Sequence, residues 1–176
     1  MRFVDLLKTT VMTCAASATV LGAIAVLSAT DAQETAPLFF AAGWWLAAGV
    51  IGAYLGRRAE TTPPIARLLA GARSTTSLPE QRPGAMLLNR LWPLFVVTVA
   101  ACALAVIAPQ IPAIAAGFAV IWALSWRRQE SAVTAIEERD GVQFYVERTS
   151  PFKPIRLVRA PGFRRIAPPS LNGAGS

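Results

Sequence analysis

Apolar residues along this chain come in long blocks: no Asp, Glu, Lys or Arg occurs in 9–30, 35–56 or 91–126, runs of 22, 22 and 36 residues. An apolar stretch of about 18 or more residues without charge is long enough for a helix to cross a bilayer. The first two runs predict one helix each. The third is too long for one ordinary span and holds Pro109-Gln110-Ile111-Pro112 at its middle, which predicts a helical hairpin. The expected fold is therefore an all-α membrane protein with four transmembrane helices arranged as two hairpins.

Five segments follow from this pattern: a first transmembrane hairpin (1–56), a loop (57–90), a second transmembrane hairpin (91–126), a helical extension with a β-hairpin (127–166) and a disordered tail (167–176). The second hairpin is the shorter one. Counted from Gln110 to Trp126, its return arm has 17 residues, or about 26 Å of helix against a hydrocarbon core of about 30 Å. It either crosses with help from Trp122, Trp126 and a snorkelling Arg127, or dips into the bilayer as a wedge. Both alternatives return the tail to the same side.

In the loop, Ile65, Leu68 and Leu69 recur at helical spacing with Arg67 and Arg73 elsewhere. This predicts a short amphipathic piece, either lying on the leaflet surface or serving as a connector. Past Trp126 the fourth helix is expected to run on into water and to end at Asp140-Gly141. Val142, Phe144 and Val146 then alternate with Gln143, Tyr145 and Glu147, which is strand periodicity, and Ile155-Arg156-Leu157-Val158 is the expected return strand. An isolated hairpin is marginally stable in water, so this one should dock on something.

Charge fixes the expected orientation. The 176 residues are 54% hydrophobic and 15% charged with a net charge of +7, whereas soluble domains carry roughly 25% charged residues. Residues 57–90 hold six Arg against two Glu, and the chain from Arg127 onward holds nine basic residues against five acidic. The connection between the first two spans, Asp31-Ala32-Gln33-Glu34, is acidic. Because Lys and Arg are retained on the cytoplasmic side, loop, tail and amino terminus (Arg2, Lys8) are all expected there, in a multi-pass protein of the cell membrane. The basic balance is thus read as topological, with no nucleic-acid partner. The 22-residue first apolar run exceeds a secretory h-region of about 7 to 15 residues, which favours a retained span over a cleaved signal.

Packing signals are modest. Gly52 and Gly56 form a GxxxG match, read as a packing face for a neighbouring helix within the chain, with homo-oligomerisation as the alternative. The small-residue faces of the first two helices are expected to pack on each other, and Trp44 and Trp45 to sit at the outer interface. Ala41-Ala42-Gly43-Trp44 followed by Arg57-Arg58 resembles Ala115-Ala116-Gly117-Phe118 followed by Arg127-Arg128, the pattern a tandem duplication of a two-helix unit would leave. Cys14 and Cys102 are read as small apolar residues that do not pair.

Motifs that carry chemistry are missing from the sequence. It contains no histidine, phosphate-binding glycine loop, paired Cys cluster or intramembrane carboxylate pair, so neither enzyme nor cofactor is expected. Glu137-Glu138-Arg139-Asp140 is read as a solvated helix end. The basic tail is the one candidate site: Lys153, Arg156, Arg159, Arg164 and Arg165, with no acid after Glu147. Lys153, Arg156 and Arg159 fall on every third residue among prolines, the period of a polyproline-type helix, which would make a cationic ridge for membrane lipid or an acidic protein partner. The functional expectation is an accessory or scaffold membrane protein whose tail docks on anionic lipid or a partner. The alternative is a subunit of a transporter or channel complex.

Overall fold

The computed structural model describes residues 1–31, 35–57, 61–74, 83–108, 110–147 and 155–161. Among them are six helices, α1 (Phe3–Asp31), α2 (Ala36–Leu55), α3 (Pro63–Ala70), α4 (Pro83–Leu104), α5 (Gln110–Trp126) and α6 (Gln129–Asp140), and three strands, β1 (Arg73–Ser74), β2 (Val142–Val146) and β3 (Leu157–Pro161).

Three helical stretches are long and apolar enough to cross a membrane: Phe3–Thr30, Ala36–Leu55 and Gly84–Leu104. The expected count of four is met only to that extent, because α5 has 17 residues. The outward side chains of the long helices have no protein to cover them. Phe39 is 79% exposed, Leu46 72% and Val99 68%. In water these would form a patch far beyond what soluble monomers show, and a lipid environment removes that cost. The protein is a mostly helical bundle with a small strand region, and three of its helices are long and apolar enough to span a membrane.

The short helix is the centre of the bundle. α5 lies along both α1 and α2, while α1 and α2 meet each other over only a small area. Trp45 bridges that gap, its ring within 3.6 Å of where a Cβ on Gly22 would lie. The small-residue faces of the first two helices thus turn to α5 rather than to each other, which corrects the sequence expectation. Alanines line the interfaces, with Ala25, Ala41 and Ala113 in one cluster and Leu21, Ala101 and Ala116 in another. Small side chains let backbones approach, and close packing with interhelical hydrogen bonds replaces a hydrophobic drive that lipid does not supply.

At one end of the bundle the polar segments assemble into a cap. β2 and β3 form the expected hairpin, antiparallel from Val142↔Pro161 to Val146↔Leu157. The return strand is Leu157–Pro161 and not 155–158, so Arg159 lies in a sheet strand and not in the expected polyproline ridge, whose Lys153 lies outside the described residues. From the loop comes an unexpected third strand, with Arg73 and Ser74 of β1 pairing parallel to Val158 and Arg159. The fourth helix does not run on continuously either. A turn at Arg127-Arg128 separates α5 from α6, and Gly141, at φ 64°, ends α6 in the left-handed region that glycine adopts without strain.

The cap core draws on every part of the chain. Phe3, Val4, Leu6 and Leu7 of α1 pack with Ile65, Met86, Val133, Val142, Phe144, Val146 and Leu157. The apolar side of the amphipathic piece joins this core: Ile65 is buried in it, and Leu68 and Leu69 pack against it. This is what the hairpin docks on.

Candidate functional site

The cap is organised around one buried carboxylate. Glu137, on α6, accepts from Arg2 Nη2 at 2.7 Å through Oε2 and from the Phe144 backbone N–H at 2.9 Å through Oε1. Its side chain is 4% exposed. On the side of β2 away from β3, the Val146 N–H donates to the Met1 carbonyl and Arg2 bridges Tyr145. The chain start and Glu137 therefore cover the strand edge that the hairpin leaves open, which removes a template for pairing with another chain. Glu137 holds the Arg2 guanidinium above its ordinary value, and burial lowers the Met1 amino group. Arg2 Nε is buried with no partner among the described residues.

A second construction joins α2 to α5. The two helices run parallel, so that Trp44 meets Phe118 edge-on at 5.4 Å between ring centroids while Gly52 and Gly56 lie lower on the same seam. A Cβ on Gly52 would sit 2.9 Å from Leu124 Cβ, and one on Gly56 would collide with the Leu124 carbonyl oxygen. Glycine at both positions is what lets α2 lie on the α5 backbone. Gly117 works the same way from the other side, since a Cβ there would enter the Trp44 ring.

Both tryptophans spend their donors inside the protein. Trp44 Nε1 donates to the Ile114 carbonyl at 3.1 Å and Trp45 Nε1 to the Ala113 carbonyl at 2.9 Å. They clamp α2 to α5. The resemblance between the two hairpins is also unequal in use: a Cβ on Gly43 would meet nothing, whereas Gly117 receives a ring.

Below this seam the connections are stapled together. Arg128 Nη1 donates to the Arg57 carbonyl at 3.0 Å, and the Thr62 N–H donates to Oε1 of the buried Gln129 at 3.0 Å. The chain leaving α2 is thereby held to the chain leaving α5. Sequence reasoning gives Arg57, Arg127 and Arg128 roles in topology, in a duplicated pattern and, for Arg127, in snorkelling, but no contact with one another. The paired Arg-Arg after each inner helix end was the available signal, and its convergence depends on the parallel packing of α2 and α5.

Of the sequence-predicted tail residues, Arg156 and Arg159 are exposed, beside and within β3. Lys153, Arg164 and Arg165 lie outside the described residues. Cys14 and Cys102 are free thiols. Among the described residues no group of three His, Cys, Asp or Glu side chains is placed to hold a metal ion. No protein-family model, curated protein or solved structure matches this chain, so a functional reading rests on the geometry of the cap and seam.

Proposed function

We propose that this protein is an accessory or scaffold protein of the cell membrane, with α1, α2, α4 and α5 crossing the bilayer and the cap in the cytoplasm. The observation that carries this reading is the cap itself. Residues from the amino terminus, the loop and the tail share one core at one end of the bundle, and that end carries most of the chain's Arg. The positive-inside rule then assigns it to the cytoplasm. A 17-residue α5 crosses because Trp122 and Trp126 extend its inner end and because the bilayer thins locally around a short span.

On this reading the cap is a small rigid platform, and exposed Arg156 and Arg159 beside its sheet are its contact residues for an anionic leaflet or an acidic partner. Purification in mild detergent tests it. Wild type is expected to retain polypeptide or anionic phospholipid that Arg156→Glu/Arg159→Glu loses, with the thermal midpoint unchanged. Identical co-purifying material from both proteins would contradict the docking role.

A further inference from the structure

The inner junction of α2 and α5 concentrates cations in a way that fixing topology does not require. Arg57, Arg127 and Arg128 are all exposed, and the Arg128 side chain reaches across to the Arg57 carbonyl. Gly56 seated on the Leu124 carbonyl brings the two helix ends together. Among the described residues none of the three arginines forms a salt bridge; the ion pairs there are Arg2 with Glu137 and Arg139 with Asp140. Arg127 precedes Arg128 in the same turn, and the C-terminal ends of α2 and α5 favour cations at this junction.

The last turns of α2 and α5, which precede these arginines in the chain, carry exposed apolar and aromatic side chains. Tyr54 is 69% exposed, Leu55 55% and Trp122 54%. Trp122 stacks on Trp126 at 5.8 Å between centroids and 23° between planes. Exposed arginines at the end of helices with exposed apolar and aromatic side chains match a molecule with an anionic head and a hydrocarbon body. A soluble phosphate or acidic peptide would leave those apolar side chains uncovered.

We propose that Arg57, Arg127 and Arg128, at the inner end of α2 and α5 beside exposed Trp122, form a binding site for the phosphate headgroup of an anionic phospholipid of the leaflet next to the cap. The guanidinium planes take the phosphate oxygens in paired N–H···O contacts, and the acyl chains lie along α2 and α5. The site rests on the reading that these two helices enter the bilayer side by side. It does not depend on Arg156 and Arg159, nor on which side of the membrane the cap faces.

The test uses the full chain in nanodiscs of phosphatidylcholine with and without phosphatidylglycerol. Both leaflets carry the anionic lipid, so sidedness does not enter. Native mass spectrometry on protein released from the discs counts retained lipids. Wild type is expected to retain phosphatidylglycerol over phosphatidylcholine, and R57Q/R127Q/R128Q to lose that preference by about fivefold per cation removed. The R128K variant, which keeps the charge but loses the planar fork, should fall between them. Far-ultraviolet circular dichroism and the thermal midpoint confirm that each variant folds. Equal retention of both lipids by wild type, or full retention by a folded triple variant, would overturn the site. Failure of the wild-type chain to enter the discs would overturn the membrane reading and the site with it.

Discussion

Glu137 ties the two ends of the chain together, and its replacement tests how much of the cap depends on that. In Glu137→Ala the Phe144 N–H loses its acceptor and Arg2, already holding an unpartnered buried Nε, loses its carboxylate. A buried donor left unsatisfied costs about 1–3 kcal/mol. Arg2 is 41% exposed in its side chain, so solvent takes over much of its share. The thermal midpoint in detergent should fall by several degrees, and Glu137→Gln, which still accepts from Phe144, should fall less. No change in either would mean the apolar contacts alone hold the cap.

This residue was misread in the sequence for a definable reason. Glu137-Glu138-Arg139-Asp140 looks like a solvated helix end, and three of the four residues are on the surface. Which of four consecutive polar residues faces inward depends on where Met1 and Arg2 lie, and those are 135 residues away. Local spacing carries no trace of that. The glycine pair was more legible, because GxxxG states a requirement for close approach. What it does not state is the partner, which is α5 and not α1.

Among the elements, the α2–α5 seam makes the sharpest demand. In Gly56→Leu the new side chain must displace the α5 backbone at Leu124, whereas in Gly43→Leu it enters open space. Gly56→Leu should lower the thermal midpoint markedly and reduce the folded yield, with Gly43→Leu near wild type, read by fluorescence-detected size-exclusion chromatography after heating. Equal behaviour of the two would contradict the seam. Helices whose apolar runs exceed 20 residues are legible because length and the absence of charge suffice to specify them. The alternation of β2 showed for the same kind of reason. β1 did not, since two residues in a polar loop have no period to detect, and they become a strand only because β3 offers its edge. The Lys and Arg period of the tail misled at Arg159: Leu157–Pro161 pairs with β2, Val158 and Arg159 pair with β1 as well, and sheet hydrogen bonds override a polyproline preference that has none.

For the whole molecule, the arrangement is a bundle centred on the 17-residue α5 and closed at one end by a cap that contains both the chain start and β3. The cap core could not be read from any single segment. It includes the first turns of α1 and one residue each from α3, α4, α6 and β3, which hydrophobic blocks alone do not associate. The charge pattern did indicate that these segments share a side, and the structure brings them to the same end. The side of the membrane that this end faces is the claim on which cytoplasmic docking depends. In a background with Cys14 and Cys102 replaced by Ala, a single thiol is placed at Asp31, beyond the other end of α1, or at Arg156 in the cap. Intact cells are then treated with a membrane-impermeant maleimide, before and after lysis. The account predicts that Asp31→Cys is labelled in intact cells and Arg156→Cys only after lysis; labelling of Arg156→Cys in intact cells would contradict it.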